Sequence, residues 1–306
     1  MERGHQKLIS GQRVVLAYSG DLVTSAALAW LREQGAEDVA TVTLDLGQGR
    51  DLNDVRDRAL GIGASRAHVL DVRDVFAREA VAPAWALPLT EPRAATLARP
   101  LIARYTLEVA RIEGATAIAH GSAFPAADPV GLEAALVAAG ADLPLLAPAR
   151  EWGMDVSALL EFGRERGIPV PSANTRPIIE VRNLWGRSVT TGVLDNPDTE
   201  PPADLYSVTR GVEGWAKEPS MVEMTFKGGR PIELNGITMS LVELIVSLDT
   251  IAGAHGIGRL DFPAVPGVRP RTIEEAPASV LIHQALSRLE GKDGTVRLTC
   301  FMGEAR

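Results

Sequence analysis

"VVLAYSGDLVTS", residues 14–25, runs from a continuous apolar strand into a small-residue loop and then into a helix. Phosphate-cradling loops are often built on this strand–loop–helix plan, because the first N–H groups of a helix have no partner within it and its dipole favours an anion. Ala27, Leu28 and Leu31 supply an apolar face at helical spacing, and Thr24 or Ser25 is the expected cap. The centre of the loop departs from the plan. It carries Asp21, an acid, and Val23, a branched apolar residue, where glycine and hydrogen-bonding groups suit a phosphate.

Outward from this stretch, the first half alternates short apolar runs with helical ones. Strands are expected over 13–19, 38–47, 67–72, 116–122 and 142–149, and helices over 24–34, 51–61, 96–113 and 155–166. Such alternation predicts a parallel α/β sheet covered on both faces. Ligands gather beyond the carboxyl ends of such strands, which directs attention to Ser19, Asp45, Asp71 and His120. The helix containing Pro100 must either start there or kink. Turn formers concentrate at about 196–220, the expected domain junction. Beyond it a hairpin about Gly228 and Gly229, an amphipathic helix over 240–256 and a final strand "TVRLTCF" are expected.

The chain has 306 residues, 46% apolar and 23% charged, with a formal charge of −8. That length allows about two domains. No apolar run is long enough to span a membrane, and the N-terminal stretch lacks a signal peptide's apolar core. A single cysteine, Cys300, allows no internal disulfide and fits a reducing compartment, so a cytoplasmic location is expected. The acidic balance and the few aromatics disfavour nucleic acid. Five scattered histidines give no metal-ligand spacing, so no resident metal site is expected.

The chain resembles the argininosuccinate synthase family over nearly its whole length. The resemblance is carried by "VVLAYSG", "TLDLGQG", "LARPLIA", "AHG", "REWG", "RGIPVPS", "NLWGRS", "EPP", "LNG", "HGIGR" and "GTVRL". It implies an adenine nucleotide alpha hydrolase-like domain (an N-type ATP pyrophosphatase fold, residues 1–170), followed by a shortened α+β synthetase-like domain (residues 171–306). Enzymes of this family use ATP to adenylate the ureido oxygen of citrulline. The amine of aspartate then displaces AMP, giving argininosuccinate and pyrophosphate.

Carried over residue by residue, the resemblance implies ATP contacts at Ala17, Ser19, Gly20, Thr24, Ser25, Asp45, Gln48 and Gly121, with Mg²⁺ accompanying the nucleotide. It implies vestigial substrate contacts at Thr96, Asp128 and Ser188, and it assigns no catalytic residue. Several matched positions are altered. The family loop reads Ser-Gly-Gly-Leu-Asp-Thr-Ser, so Asp21 replaces its second glycine and Val23 its acid. In "HGSAFPAADPVGLE" the positions of threonine, lysine, asparagine and arginine hold Ala123, Pro125, Ala127 and Gly131, and Phe124 and Ala126 replace glycines. Ile179 stands for a citrulline-contacting serine, and Glu274 for a tyrosine. Loss of oriented polar groups at such a site costs orders of magnitude in rate. Three readings follow: a degenerate paralogue with absent or strongly impaired ligation, retaining weak nucleotide binding or serving a protein partner; a ligase of the same type with an altered acceptor; or a true synthase in which Asp21 compensates. A homo-oligomer is allowed under each.

Overall fold

A computed structural model describes residues 9–122, 131–170, 178–266 and 268–306, with the side chain of residue 178 excepted. The chain divides into two compact units. The first holds residues up to Asp45, Arg50–Asp71 and 99–170; the second holds Leu46–Gly49, Val72–Ala98 and the chain from residue 178 onward.

The first unit is built on a parallel sheet of β1 (Arg13–Ala17), β2 (Asp38–Asp45), β3 (Arg66–Asp71), β4 (Ala117–His120) and β5 (Leu145–Leu146), in the order β3-β2-β1-β4-β5. The central strand β1 pairs Ala17 with Val42 on one side and with His120 on the other. Val14, Val15 and Leu16 are all buried, as expected of a strand covered on both faces. On one face Val14 and Leu16 join Leu28 and Leu31 of α1 (Leu22–Glu33) and Val55 of α2 (Leu52–Ile62) in a single core. This is the parallel α/β fold the sequence predicts.

Local chemistry sets the helix ends. Asp51 caps α2 by accepting from Asn53 N–H at 2.8 Å, and Gly63, in the left-handed region at φ 117°, ends it. α1 starts earlier than the apolar spacing alone suggests: its cap is Asp21, not Thr24 or Ser25. α3 (Ala94–Ile112) begins six residues before Pro100 and runs through it. Pro100 withholds one N–H from the helix without ending it. β5 is only two residues long, well short of 142–149, since Pro144 and Pro148 flank it and have no N–H to give to a ladder. α4 (Gly131–Ala138) and α5 (Val156–Glu165) complete the unit's labelled helices, and Asp155 caps the latter through Ala158 N–H.

The second unit contains two antiparallel sheets. One orders β11 (Arg259–Phe262), β12 (Thr272–Glu275), β7 (Gly186–Thr191) and β6 (Ile178–Asn183). The other orders β10 (Ile237–Thr238), β9 (Arg230–Leu234), β8 (Ser220–Lys227), β13 (Gly294–Phe301) and β14 (Glu304–Ala305). Gly228 and Gly229 close the β8–β9 hairpin with φ 58° and 71°, a turn open to glycine at both positions. α6 (Leu241–Ala254) opens with a full capping box of Ser240 and Glu243 and packs on α7 (Pro277–Arg288). Short helical turns over Arg73–Phe76, Ala77–Val81 and Ala82–Ala84 belong to this unit as well, and bury Phe76 and Trp85. Among the described residues, no helix is long and apolar enough to cross a membrane.

Candidate functional site

The loop between β1 and α1 stands at the carboxyl edge of the parallel sheet. Gly20 sits at φ 76°, and a Cβ there would come within 2.8 Å of Val55 Cγ1, so the tight turn needs glycine. Gly121, just past β4, approaches as closely: a Cβ would lie 2.5 Å from Thr24 Cγ2. Ala17, Ser19, Gly20, Thr24, Ser25 and Gly121 are therefore brought together around the start of α1.

The donors of this loop converge on Asp21. Its Oδ1 accepts from Thr24 N–H at 2.8 Å and from Thr24 Oγ1 at 2.9 Å, while its Oδ2 accepts from Ser19 Oγ at 2.7 Å. Asp21 itself is exposed, whereas Thr24 is buried. Ser25 points elsewhere: fully buried, it shares a 2.9 Å hydrogen bond with Tyr18 Oη, and its N–H closes the first helical bond to Asp21 O. Burial pushes the Tyr18 hydroxyl above its ordinary range, with the Ser25 contact working against the shift.

Two guanidinium groups lie on the same loop, unmarked by any motif. Arg50 donates to Ser19 O at 2.7 Å, and Arg58 donates to Gly20 O. Arg58 stands on α2 and Arg50 in the turn just before the Asp51 cap, so the segment that follows β2 supplies both. The net result is one carboxylate and two cations around a helix N-terminus with convergent hydroxyl and amide donors. Such an arrangement suits a polyphosphate.

Beside it, His120 is fully buried. Its Nε2 meets Glu133 Oε1 at 2.9 Å, its Nδ1 accepts from Ser122 N–H at 3.3 Å, and Arg150 pairs with the same glutamate. Accepting at Nδ1 leaves the proton on Nε2 to be donated to Glu133. Asp45 ends β2 opposite Asp71 of β3. In the second unit, Gln48 Oε1 accepts from Leu46 N–H at 2.8 Å and closes the turn after β2. Thr96 donates to Arg93 O at 3.2 Å in the first turn of α3. Asp128 lies outside the described residues, as do Ala123, Phe124, Pro125, Ala126 and Ala127. Among the described residues, no cluster of three or more His, Cys, Asp or Glu could hold a metal ion.

Sequence reading treats Glu274 as a lost ligand position, but the second unit gives it a different place. Glu274 and Glu275 are adjacent on β12 and both are fully buried. Glu274 Oε2 accepts from Arg93 N–H at 2.9 Å, from Ala94 N–H at 3.0 Å and from Ser188 Oγ, while Oε1 accepts from Trp185 Nε1 at 2.8 Å. The hydroxyl of Ser188 is thus held by Glu274. Glu275 Oε1 accepts from the N–H groups of Val208 and Thr209 at 3.0 and 2.8 Å and from Thr209 Oγ1 at 2.7 Å; Oε2 takes Ser207 N–H at 3.1 Å and Arg187 at 2.9 Å. Ile179, by contrast, is 53% exposed.

Comparison with known proteins gives the same family over both halves. Residues 13–169 match the family described as the arginosuccinate synthase N-terminal HUP domain, and residues 180–304 match the arginosuccinate synthase C-terminal domain. The chain is 44% identical over 289 residues to the argininosuccinate synthase of Rubrobacter xylanophilus, covering 92% of this chain and 70% of that protein. It is 41% identical over 285 residues to that of Dictyoglomus turgidum, covering 91% and 71%, and 39% identical over 288 residues to that of Geobacillus kaustophilus, covering 92% and 71%. Identity at this level, over both matched domains, overturns the expectation of a degenerate paralogue with absent or strongly impaired ligation. The substitutions that suggested it are local, and the best described of them, Asp21, is a well-bonded helix cap.

Proposed function

The chain belongs to the argininosuccinate synthase family, and we propose that it is an ATP-dependent ligase of that type, joining an amine to an acceptor other than citrulline. The observation that carries the ligase reading is the 39–44% identity to three synthases over more than nine-tenths of the chain. ATP supplies the adenylyl group that activates an acceptor oxygen, with pyrophosphate leaving and an amine then displacing AMP.

The residues present fit a nucleotide's phosphates. Ser19 Oγ and the N–H and hydroxyl of Thr24 converge on one anion-sized position at the start of α1, and the guanidiniums of Arg50 and Arg58 hold the carbonyls of Ser19 and Gly20 in the same loop. Gly20 and Gly121 allow that close approach. Fixed donors of this kind lower a barrier by positioning and by stabilising charge as it develops. Mg²⁺ would accompany the phosphates, with no carboxylate at position 23 to reach its shell. The altered acceptor is supported by Ile179, which replaces a serine expected against citrulline, and by Ser188, a second expected substrate contact, whose hydroxyl is held by Glu274. We further place the protein in the cytosol, where a single buried thiol, Cys300, stays reduced.

Pyrophosphate release with MgATP tests this reading, using an amine donor such as aspartate and a panel of ureido, amide and carboxylate acceptors. Release that depends on ATP and on an acceptor other than citrulline is expected. Release with citrulline alone would keep the family reaction and remove the altered acceptor. No release with any acceptor would overturn the proposal.

A further inference from the structure

This inference rests on the nucleotide-ligase reading. We propose that Asp21 is an internal competitor for the nucleotide's phosphates: its carboxylate occupies the anion position of the loop and is displaced when ATP binds. Three observations meet here. The donors best placed for a phosphate, Ser19 Oγ, Thr24 N–H and Thr24 Oγ1, all donate to this one carboxylate at 2.7–2.9 Å. The Asp21 side chain is exposed and springs from the loop itself, so a rotation about its own bonds clears the position without moving the helix. Two guanidiniums, Arg50 and Arg58, rest on the carbonyls of Ser19 and Gly20, the two residues before Asp21, and bring to the loop the positive charge that an incoming polyphosphate needs.

A carboxylate at a helix N-terminus satisfies the same orphan N–H groups, and the same dipole, that favour a phosphate. Both anions cannot occupy the position together, because they need the same three donors and like charges at hydrogen-bonding distance repel. The device therefore keeps the loop formed in the empty protein and raises the nucleotide concentration at which the site fills. It also makes discrimination depend on charge. A triphosphate displaces the carboxylate more readily than a monophosphate does.

Calorimetric titration of the full-length protein with MgATP, and with AMP, tests the proposal on the wild type, Asp21→Asn and Asp21→Gly. Asn keeps a cap acceptor while removing the charge, and Gly is nearly as good a cap as the natural cap residues, so both variants should fold; thermal melts confirm it. Removing the carboxylate should tighten MgATP binding about tenfold or more, and AMP binding by a smaller factor. Equal MgATP affinity in all three proteins would overturn the competitor and leave the nucleotide site standing. Weaker binding in the variants would overturn it too, by making Asp21 a contributor to binding. If none of the three proteins binds either nucleotide, the ligase reading itself falls, and this inference with it.

Discussion

Asp21 and the Glu274–Glu275 pair are carboxylates fed by backbone N–H groups, the first at a helix start and the pair at the end of strand β12. They differ in burial. Asp21 is exposed and takes its three bonds from residues within three positions of itself. Glu274 and Glu275 are fully buried and take theirs from residues more than sixty positions away in sequence. Exposure makes the first carboxylate exchangeable, since water or a phosphate can replace it at the cost of a surface cap, about 1 kcal/mol. Burial makes the other two permanent, because each donor left behind would be unpaired in the interior. Sites for ligands and anchors for structure can thus share one chemistry, and solvent access separates them.

The largest test of that contrast is Glu275→Ala. It leaves three N–H groups and a hydroxyl without this acceptor and takes from the buried Arg187 one of its two carboxylate partners, the other being Glu180. Chemical denaturation should show a loss of about 3–5 kcal/mol; a loss below 1 kcal/mol would break the comparison. Next is Asp249, whose carboxyl accepts from Ala278 N–H at the start of α7 and is pushed up to about 7, chiefly by burial. A folded-state value raised above the unfolded one favours the protonated acid. The resulting stabilisation is complete below about 4 and is lost as pH rises through about 7. The residue as a whole keeps some exposure, so the swing is put at about 2 kcal/mol, below the full value of the shift. Asp249→Asn should flatten the fall of stability between pH 4 and 8, followed by urea denaturation at each pH; a variant whose curve parallels the wild type would refute it.

On the exchangeable side, Arg58→Gln removes a loop cation while sparing the core. MgATP affinity should fall about tenfold and AMP affinity less; equal losses for both would show that the arginine merely braces the turn. The smallest effect is expected for Ser188→Ala, which removes one of four donors to Glu274 and should cost about 1 kcal/mol in a thermal melt. A cost above 3 kcal/mol would mean that the hydroxyl, rather than the N–H groups of Arg93 and Ala94, carries that carboxylate.

The parallel sheet was readable from sequence because its signal is local: continuous apolar runs such as 14–16 alternate with capped helices. The same locality made the loop legible, with Gly20 and the small residues after it in one short stretch. The cap was misassigned for a physical reason. Asp, Ser and Thr all cap well, and only the backbone decides which of Asp21, Thr24 and Ser25 is used. Arg50 and Arg58 carry no such signal, because a lone arginine in a turn or on a helix usually faces solvent, and their targets are carbonyls about thirty and forty residues back in the chain. The glutamate pair was least legible. Nothing in "TIEEAP" announces that residues 93–94, 187–188 and 207–209 will enclose it.

The enclosure of Glu275 carries a consequence for how the second unit assembles. Its partners come from β7 and from the segment at 207–209, 66 to 88 residues away from it in sequence. A half-formed sheet that brought β12 inside before residues 207–209 arrived would hold a desolvated charge with most of its donors missing. Partial structures are penalised while the complete one is not, so this strand favours all-or-none folding over stepwise docking. The pair of glutamates then acts as a checkpoint on assembly, selecting against compact intermediates that an all-apolar strand would tolerate.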